Sequence, residues 1–116
     1  MPIIVVKDLI KREELKSIAE KQFGSLVKAV VDTEQEIMAV GGELHADGEV
    51  WLMEQEGTKR ENSWGINLYP EKSGQDWIEF DSVINLKPSF GNRSRGVDNP
   101  EIQKKIINIV EKLVEQ

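Results

Sequence analysis

The chain's one histidine, His45, stands in the stretch GGELHAD at residues 41 to 47, with Glu43 two positions before it and Asp47 two after. In an extended backbone alternate side chains share a face, so these three groups would stand together while Leu44 and Ala46 turn inward. A neutral imidazole between two carboxylates has the makings of a divalent-metal site or a general base. The same residues also suit a purely structural role, with Asp47 capping a following helix, His45 bonded to nearby backbone and Glu43 solvated. A helical backbone over 43 to 47 would dissolve the shared face.

A second candidate is GNRSRG at 91 to 96, inside the run KPSFGNRSR, which holds three cations and no acid. Glycines at both ends permit positive φ, so successive N–H groups of Asn92, Arg93, Ser94 and Arg95 could form a concavity that cups an anion. The guanidiniums of Arg93 and Arg95 suit a phosphate or carboxylate above it. Against this, loop arginines of an acidic chain commonly pair with acids of their own protein, here Glu79 or Asp81. Asn67, Asp81 and Asn85 complete the candidate set as polar positions alternating with apolar ones on two strand-like runs. They could converge with His45 if the two hairpins pair, and solvation of an outer sheet face would explain them as well.

Several chemistries are excluded by what is missing. There is no cysteine, hence no disulfide, thiolate nucleophile or cysteine-ligated metal. No GxSxG, HExxH, GxGxxG or P-loop pattern occurs. A net charge of −6 disfavours general nucleic-acid binding, which needs a cationic face. Trp51, Trp64 and Trp77 are surrounded by acids such as Glu49, Glu54, Asp76 and Glu79, which argues against base stacking on single strands and for core or interface anchors. The opening MPIIVVKDLI is too short in apolar residues for a secretory segment or a membrane span, so no membrane is implied and a cytoplasmic location is expected.

The elements that would position these groups follow from periodicity. At 116 residues, 39% hydrophobic and 31% charged, the chain fits one globular domain. Residues 3 to 6 (IIVV) read as a first strand. Leu15, Ile18, Ala19 and Phe23 fall at helical spacing between Glu13, Glu14 and Gly24, giving a helix over 11 to 23. LVKAVVD (26 to 32) and EIMAVGG (36 to 42) form a hairpin. GEVWLMEQEG (48 to 57) is read as a short helix with Asp47 as N-cap, although Val50 to Met53 would suit a buried strand. WGINLYP (64 to 70) and DWIEFDSVINLKP (76 to 88) form a second pair, with Ile78, Phe80, Ile84 and Leu86 on the core side and Glu79, Asp81, Asn85 and Lys87 on the other. Asn99 and Pro100 start a last helix whose apolar residues span about 160° of its surface at 100° per residue. That face must be covered by the sheet, a second subunit or both, so residues 102 to 114 are a candidate homodimer surface.

The blocks AVGGELHAD, WGINLYP, IEFDS, INLKPS and GNRSRGV, followed by DNPEIQKKIINIVEKL, resemble a family of small prokaryotic proteins that carries only a domain-of-unknown-function label. The resemblance runs over nearly the whole chain. It implies a stand-alone cytoplasmic domain and brings no catalytic residue, cofactor or substrate with it.

The expected fold is therefore a single α+β domain spanning 1 to 116, a mostly antiparallel sheet of four or five strands packed against the N-terminal and C-terminal helices. The expected function is a non-enzymatic binding or interaction module whose loop 91 to 96 meets a small anion or a protein partner. A competing expectation is a small metal-dependent hydrolase of phosphodiesters or similar esters. There His45 would be the base, Glu43, Asp47 or Asp81 would hold the metal, and Arg93 or Arg95 would steady developing charge.

Overall fold

The computed structural model describes residues 2 to 116. Its strands are β1 (Ile4–Val6), β2 (Ile10–Lys11), β3 (Val27–Asp32), β4 (Ile37–Val40), β5 (Ser63–Leu68), β6 (Ile78–Glu79) and β7 (Val114–Glu115). Its helices are α1 (Arg12–Lys21), α2 (His45–Glu56) and α3 (Pro100–Leu113). Five strands form one antiparallel sheet in the order β1-β4-β3-β5-β6. The α+β domain expected from the sequence is thus present, and the hairpin of β3 and β4 lies at its centre.

That hairpin closes on a carboxylate. Asp32, almost fully buried, accepts the backbone N–H groups of Glu34 and Gln35 at 2.9 and 3.0 Å, the Gln35 amide at 2.9 Å and the Thr58 hydroxyl at 2.7 Å. Four donors offset the cost of burying the charge, and they tie the turn to the segment that leaves α2.

Alternation along the central strands divides the interior in two. Val27, Ala29 and Val31 of β3, with Met38, Val40, Trp64, Ile66 and Leu68, face a large core closed by Leu15, Ile18 and Ala19 of α1 and Ile106, Ile109, Val110 and Leu113 of α3. The opposite face, Val30, Ile37 and Ala39, meets Leu52 of α2 and Ile84. A short parallel pairing of β2 with β7 locks the start of α1 to the end of α3. Most of the apolar face of α3 that suggested a dimer is covered by its own sheet, and Ile102 and Ile107 are half-buried. Asn99 caps this helix as expected, accepting the Glu101 N–H at 2.9 Å.

Two expectations are corrected. The run 76 to 88 is not one strand: only Ile78–Glu79 pairs with β5, and Val83–Asn85 and Pro88–Phe90 are single 3-10 turns. The chain rounds the sheet edge here. Ile78 and Phe80 pack on the large core, Ile84 on the small one, while Asn85 and Lys87 become buried and Leu86 exposed, the reverse of the strand alternation. The second correction concerns α2, which begins at His45 rather than 48, with Leu44 as its N-cap. Asp47 lies inside the first turn and accepts the Leu44 N–H at 3.3 Å. Glu43, His45 and Asp47 therefore share no face, and Leu44 and Ala46, expected inside, are exposed.

Candidate functional site

α2 approaches the sheet through His45, Gly48, Glu49 and Leu52, an i, i+3, i+4, i+7 stripe of which only Leu52 is a large apolar side chain. Close approach explains Gly48: a Cβ there would stand 3.0 Å from a methyl of Val30. Beneath this stripe, β5 presents Ser63, Gly65 and Asn67, so the helix and strand meet through polar groups.

His45 sits over β5 with Nε2 2.8 Å from the carbonyl oxygen of Ile66. A carbonyl only accepts, so Nε2 carries the hydrogen and Nδ1 keeps its lone pair. Burial pushes the imidazole pKa below the ordinary 6.5, and the nearby Lys28 charge acts the same way; the Ile66 carbonyl, the Asn67 side chain and the Asp81 charge oppose both. Gly65 makes the contact possible, because a Cβ at that position would fall 2.5 Å from Cβ and Oγ of Ser82 and 3.1 Å from the His45 ring. The Asn67 amide donates to Glu79 at 2.9 Å, and Tyr69 donates to the same carboxylate oxygen at 3.0 Å. Asn67 Oδ1 is buried without a partner among the described residues.

The free edge of β5 beyond β6 is completed by side chains in place of a strand. Asn85 accepts the Gly65 N–H at 2.8 Å and donates to the Gly65 and Arg95 carbonyls at 3.0 and 2.9 Å, so its amide stands in for a ladder peptide. Farther along, the Lys87 ammonium donates to the carbonyls of Ser63, Arg60 and Ile84 at 2.7, 3.0 and 3.2 Å, above the Trp64 ring. Burial lowers its pKa to about 8, with the Arg60 charge adding to the shift and Glu49 opposing it. Glu49 accepts from the Ser63 hydroxyl and pairs with Arg60 at 3.1 Å.

The loop 91 to 96 takes a carboxylate from its own chain, with Gly91 but not Gly96 in the left-handed region and the Asn92 N–H turned to the Lys87 carbonyl. Asp98 places one carboxylate oxygen 2.8 Å from the Arg93 N–H and the other 2.5 Å from the Ser94 hydroxyl, and these donors hold its pKa below the usual carboxylate range. Asn92 pins the loop from within, donating to the carbonyls of Asn85, Ser94 and Gly96 and accepting the Asp98 N–H at 2.7 Å. Arg95 reaches Asp81 at 2.7 Å in an exposed pair, and the Arg93 guanidinium has no ion-pair partner among the described residues.

Segments 43 to 47 and 91 to 96 thus converge on the same strand edge, His45 through Ile66 and Arg95 through Asn85 and Gly65. Each is tied to that strand through its own contacts, and no hydrogen bond joins one segment to the other among the described residues. Two depressions of about 580 and 490 Å³ flank Trp77 on the other side of β6, and neither is lined by a residue of either segment. Of the two cations lining the first, Arg12 and Lys72, Arg12 stacks on Trp77 at 3.9 Å and donates to the Pro70 and Lys72 carbonyls and the Gln116 side chain. Among the described residues no group of three His, Asp or Glu side chains is placed to hold a metal ion.

Sequence reasoning passed over Glu49, Gly65, Ser82, Lys87 and Asp98 as parts of this network. A signal for the first was present, since His45 and Glu49 are one helical turn apart, but it is hidden when the helix is started at 48. The outer surface of α2 was also missed: Leu44, Val50, Trp51 and Met53 are 59%, 49%, 41% and 42% exposed.

Residues 4–113 match a family described as protein of unknown function (DUF5674). No curated protein and no solved structure matches the chain.

Proposed function

Since the chain belongs to the DUF5674 family, whose function is unknown, no activity comes with its membership, and we propose from the geometry that it is a non-enzymatic interaction module contacting its partner through α2. The observation that carries this reading is the orientation of that helix. A surface helix ordinarily turns its apolar stripe to the core and its polar residues to water. α2 buries a single large apolar side chain, Leu52, beside His45 and Glu49, while Val50, Trp51 and Met53 stand in solvent with the exposed N-cap Leu44. The turn packed next to it adds Val83, 61% exposed. Large apolar side chains exposed in such number on one element mark binding surfaces, and tryptophan and methionine are over-represented there.

The polar groups that suggested catalysis support the same reading by being engaged elsewhere. His45 holds a backbone carbonyl, Asp81 is paired with Arg95, and the anion seat of loop 91 to 96 is filled by Asp98. An external phosphate or carboxylate would have to displace that tethered side chain, which leaves Arg93 as the loop's one guanidinium without an ion pair among the described residues.

The reading is tested by placing a photo-reactive phenylalanine at Val50, and separately at the exposed Lys104 of α3, in the cells that make the protein. Discrete cross-linked species from position 50 alone are expected. The same species from both positions, or none from position 50, would overturn it.

A further inference from the structure

The α2 surface has a charge as well as an apolar character. From Glu43 to Gly57 the chain holds five acids and no lysine or arginine. Two of them are engaged within the protein, Glu49 with Ser63 and Arg60 and Glu56 with Lys7 at 2.8 Å. Glu43, Asp47 and Glu54 are exposed and make no ion pair among the described residues, and Glu54 lies opposite the buried stripe at 100° per residue. The helix's last turn carries no basic residue, so its C-terminal carbonyls add partial negative charge at the same end. Building on the interaction reading above, we infer that the partner is a cationic amphipathic helical segment of another protein, laying its apolar side along Leu44 and Trp51, which share one line of α2 at 100° per residue, and its lysines or arginines along Asp47 and Glu54 on the adjoining line, with Val50 at the far margin.

Charge selects among the possible occupants. A second copy of this chain on a two-fold axis would set Asp47 and Glu54 against their own equivalents, a repulsive arrangement for a surface that must complement itself. Nucleic-acid phosphates and anionic lipid headgroups are repelled for the same reason. A basic segment gains on both counts, and an exposed helix ridge is the shape an amphipathic helix packs along. From residue 44 to 53 the ridge is about 13 Å long at 1.5 Å per residue, so about three turns of a partner cover it.

Two synthetic peptides of fourteen residues probe this directly, one with leucine and lysine in an amphipathic helical repeat, the other with glutamate in place of every lysine. Tryptophan indole N–H signals report the place of binding, because Trp64 and Trp77 are buried and Trp51 is not. The expected result is a saturable shift of the Trp51 signal with the lysine peptide alone. Asp47→Asn with Glu54→Gln should weaken it about tenfold, while Glu101→Gln with Glu111→Gln on α3 leaves it unchanged. Equal binding of the glutamate peptide, or equal loss from the α3 pair, would overturn the inference. Cross-linking from position 50 in cells combined with no peptide binding would retire the cationic partner and leave the interaction module standing. Peptide binding at Trp51 without any cellular cross-link would support the surface's charge preference and count against the module.

Discussion

Replacing Asn85 should cost more stability than any exposed polar substitution in the chain. Its side chain is fully buried and makes three hydrogen bonds, two with the Gly65 peptide and one with the Arg95 carbonyl, at 2.8 to 3.0 Å. Alanine removes all three and strands one N–H and two carbonyls away from water. Each buried orphan costs about 1–3 kcal/mol, and because neighbouring losses are not additive the expected total is about 3–5 kcal/mol. That is a large part of the roughly 5–15 kcal/mol typical of a domain. Aspartate is the sharper probe. It keeps the shape and the acceptor for the Gly65 N–H but offers no donor to either carbonyl, so at neutral pH it should destabilise at least as much as alanine. Acidification should then recover part of the loss as the introduced carboxyl gains a proton. Urea unfolding followed by tryptophan fluorescence gives the magnitude, and hydrogen exchange at the Gly65 amide gives the location. A loss below about 1 kcal/mol with Gly65 still protected would refute the strand-substitute role.

Other consequences are open to direct measurement. Gly65→Ala forces a methyl to within 2.5 Å of Ser82 and should destabilise by about 1–3 kcal/mol, and combining it with Ser82→Gly should return less than the sum of the two single losses. The His45 pKa is lowered in the folded chain, so the neutral form is favoured there: its contribution to stability is complete above the ordinary value of 6.5 and declines as pH falls below it, and His45→Gln should remove that decline from the unfolding profile below the ordinary value. Asp98→Asn should leave the core intact but release the Arg93 amide to hydrogen exchange, and it should open loop 91 to 96 to added inorganic phosphate, detectable as shifts of the Arg93 and Ser94 amides; a loop still closed in that variant would contradict the seat assigned to Asp98.

The sheet and the outer two helices were legible because each rests on a local rule: β-branched runs for β3 and β4, acids and a glycine bracketing α1, Asn99 and Pro100 opening α3. The polar interior was not, because its residues break those rules. Asn85 and Lys87 read as the outward side of a strand, yet they are buried because their side chains replace that strand's hydrogen bonds. His45 reads as part of an extended stretch before a helix started at 48, and Glu49 as a first-turn acid, so their shared buried stripe does not show. Ser63, Gly65 and Asn67 of β5 meet the polar part of the α2 stripe while Val30, Ile37 and Ala39 take only Leu52 among its large apolar side chains, and that is a pairing between segments no single window reveals. The sequence also marked loop 91 to 96 as a place for an anion, while its contacts with Asp98 depend on a turn closing two residues beyond the motif.

The account separates the polar interior of α2, which holds the fold, from its apolar exterior, which meets a partner. Cross-linking from position 50 in two backgrounds compares them in a single measurement. Trp51→Glu, at a 41% exposed side chain outside both cores, should lower the unfolding midpoint less than His45→Gln and abolish the cross-linked species, whereas His45→Gln should leave those species in place at permissive temperature. Loss of the cross-link in the His45 variant with full retention in the Trp51 variant would contradict the account and return the search to the polar groups.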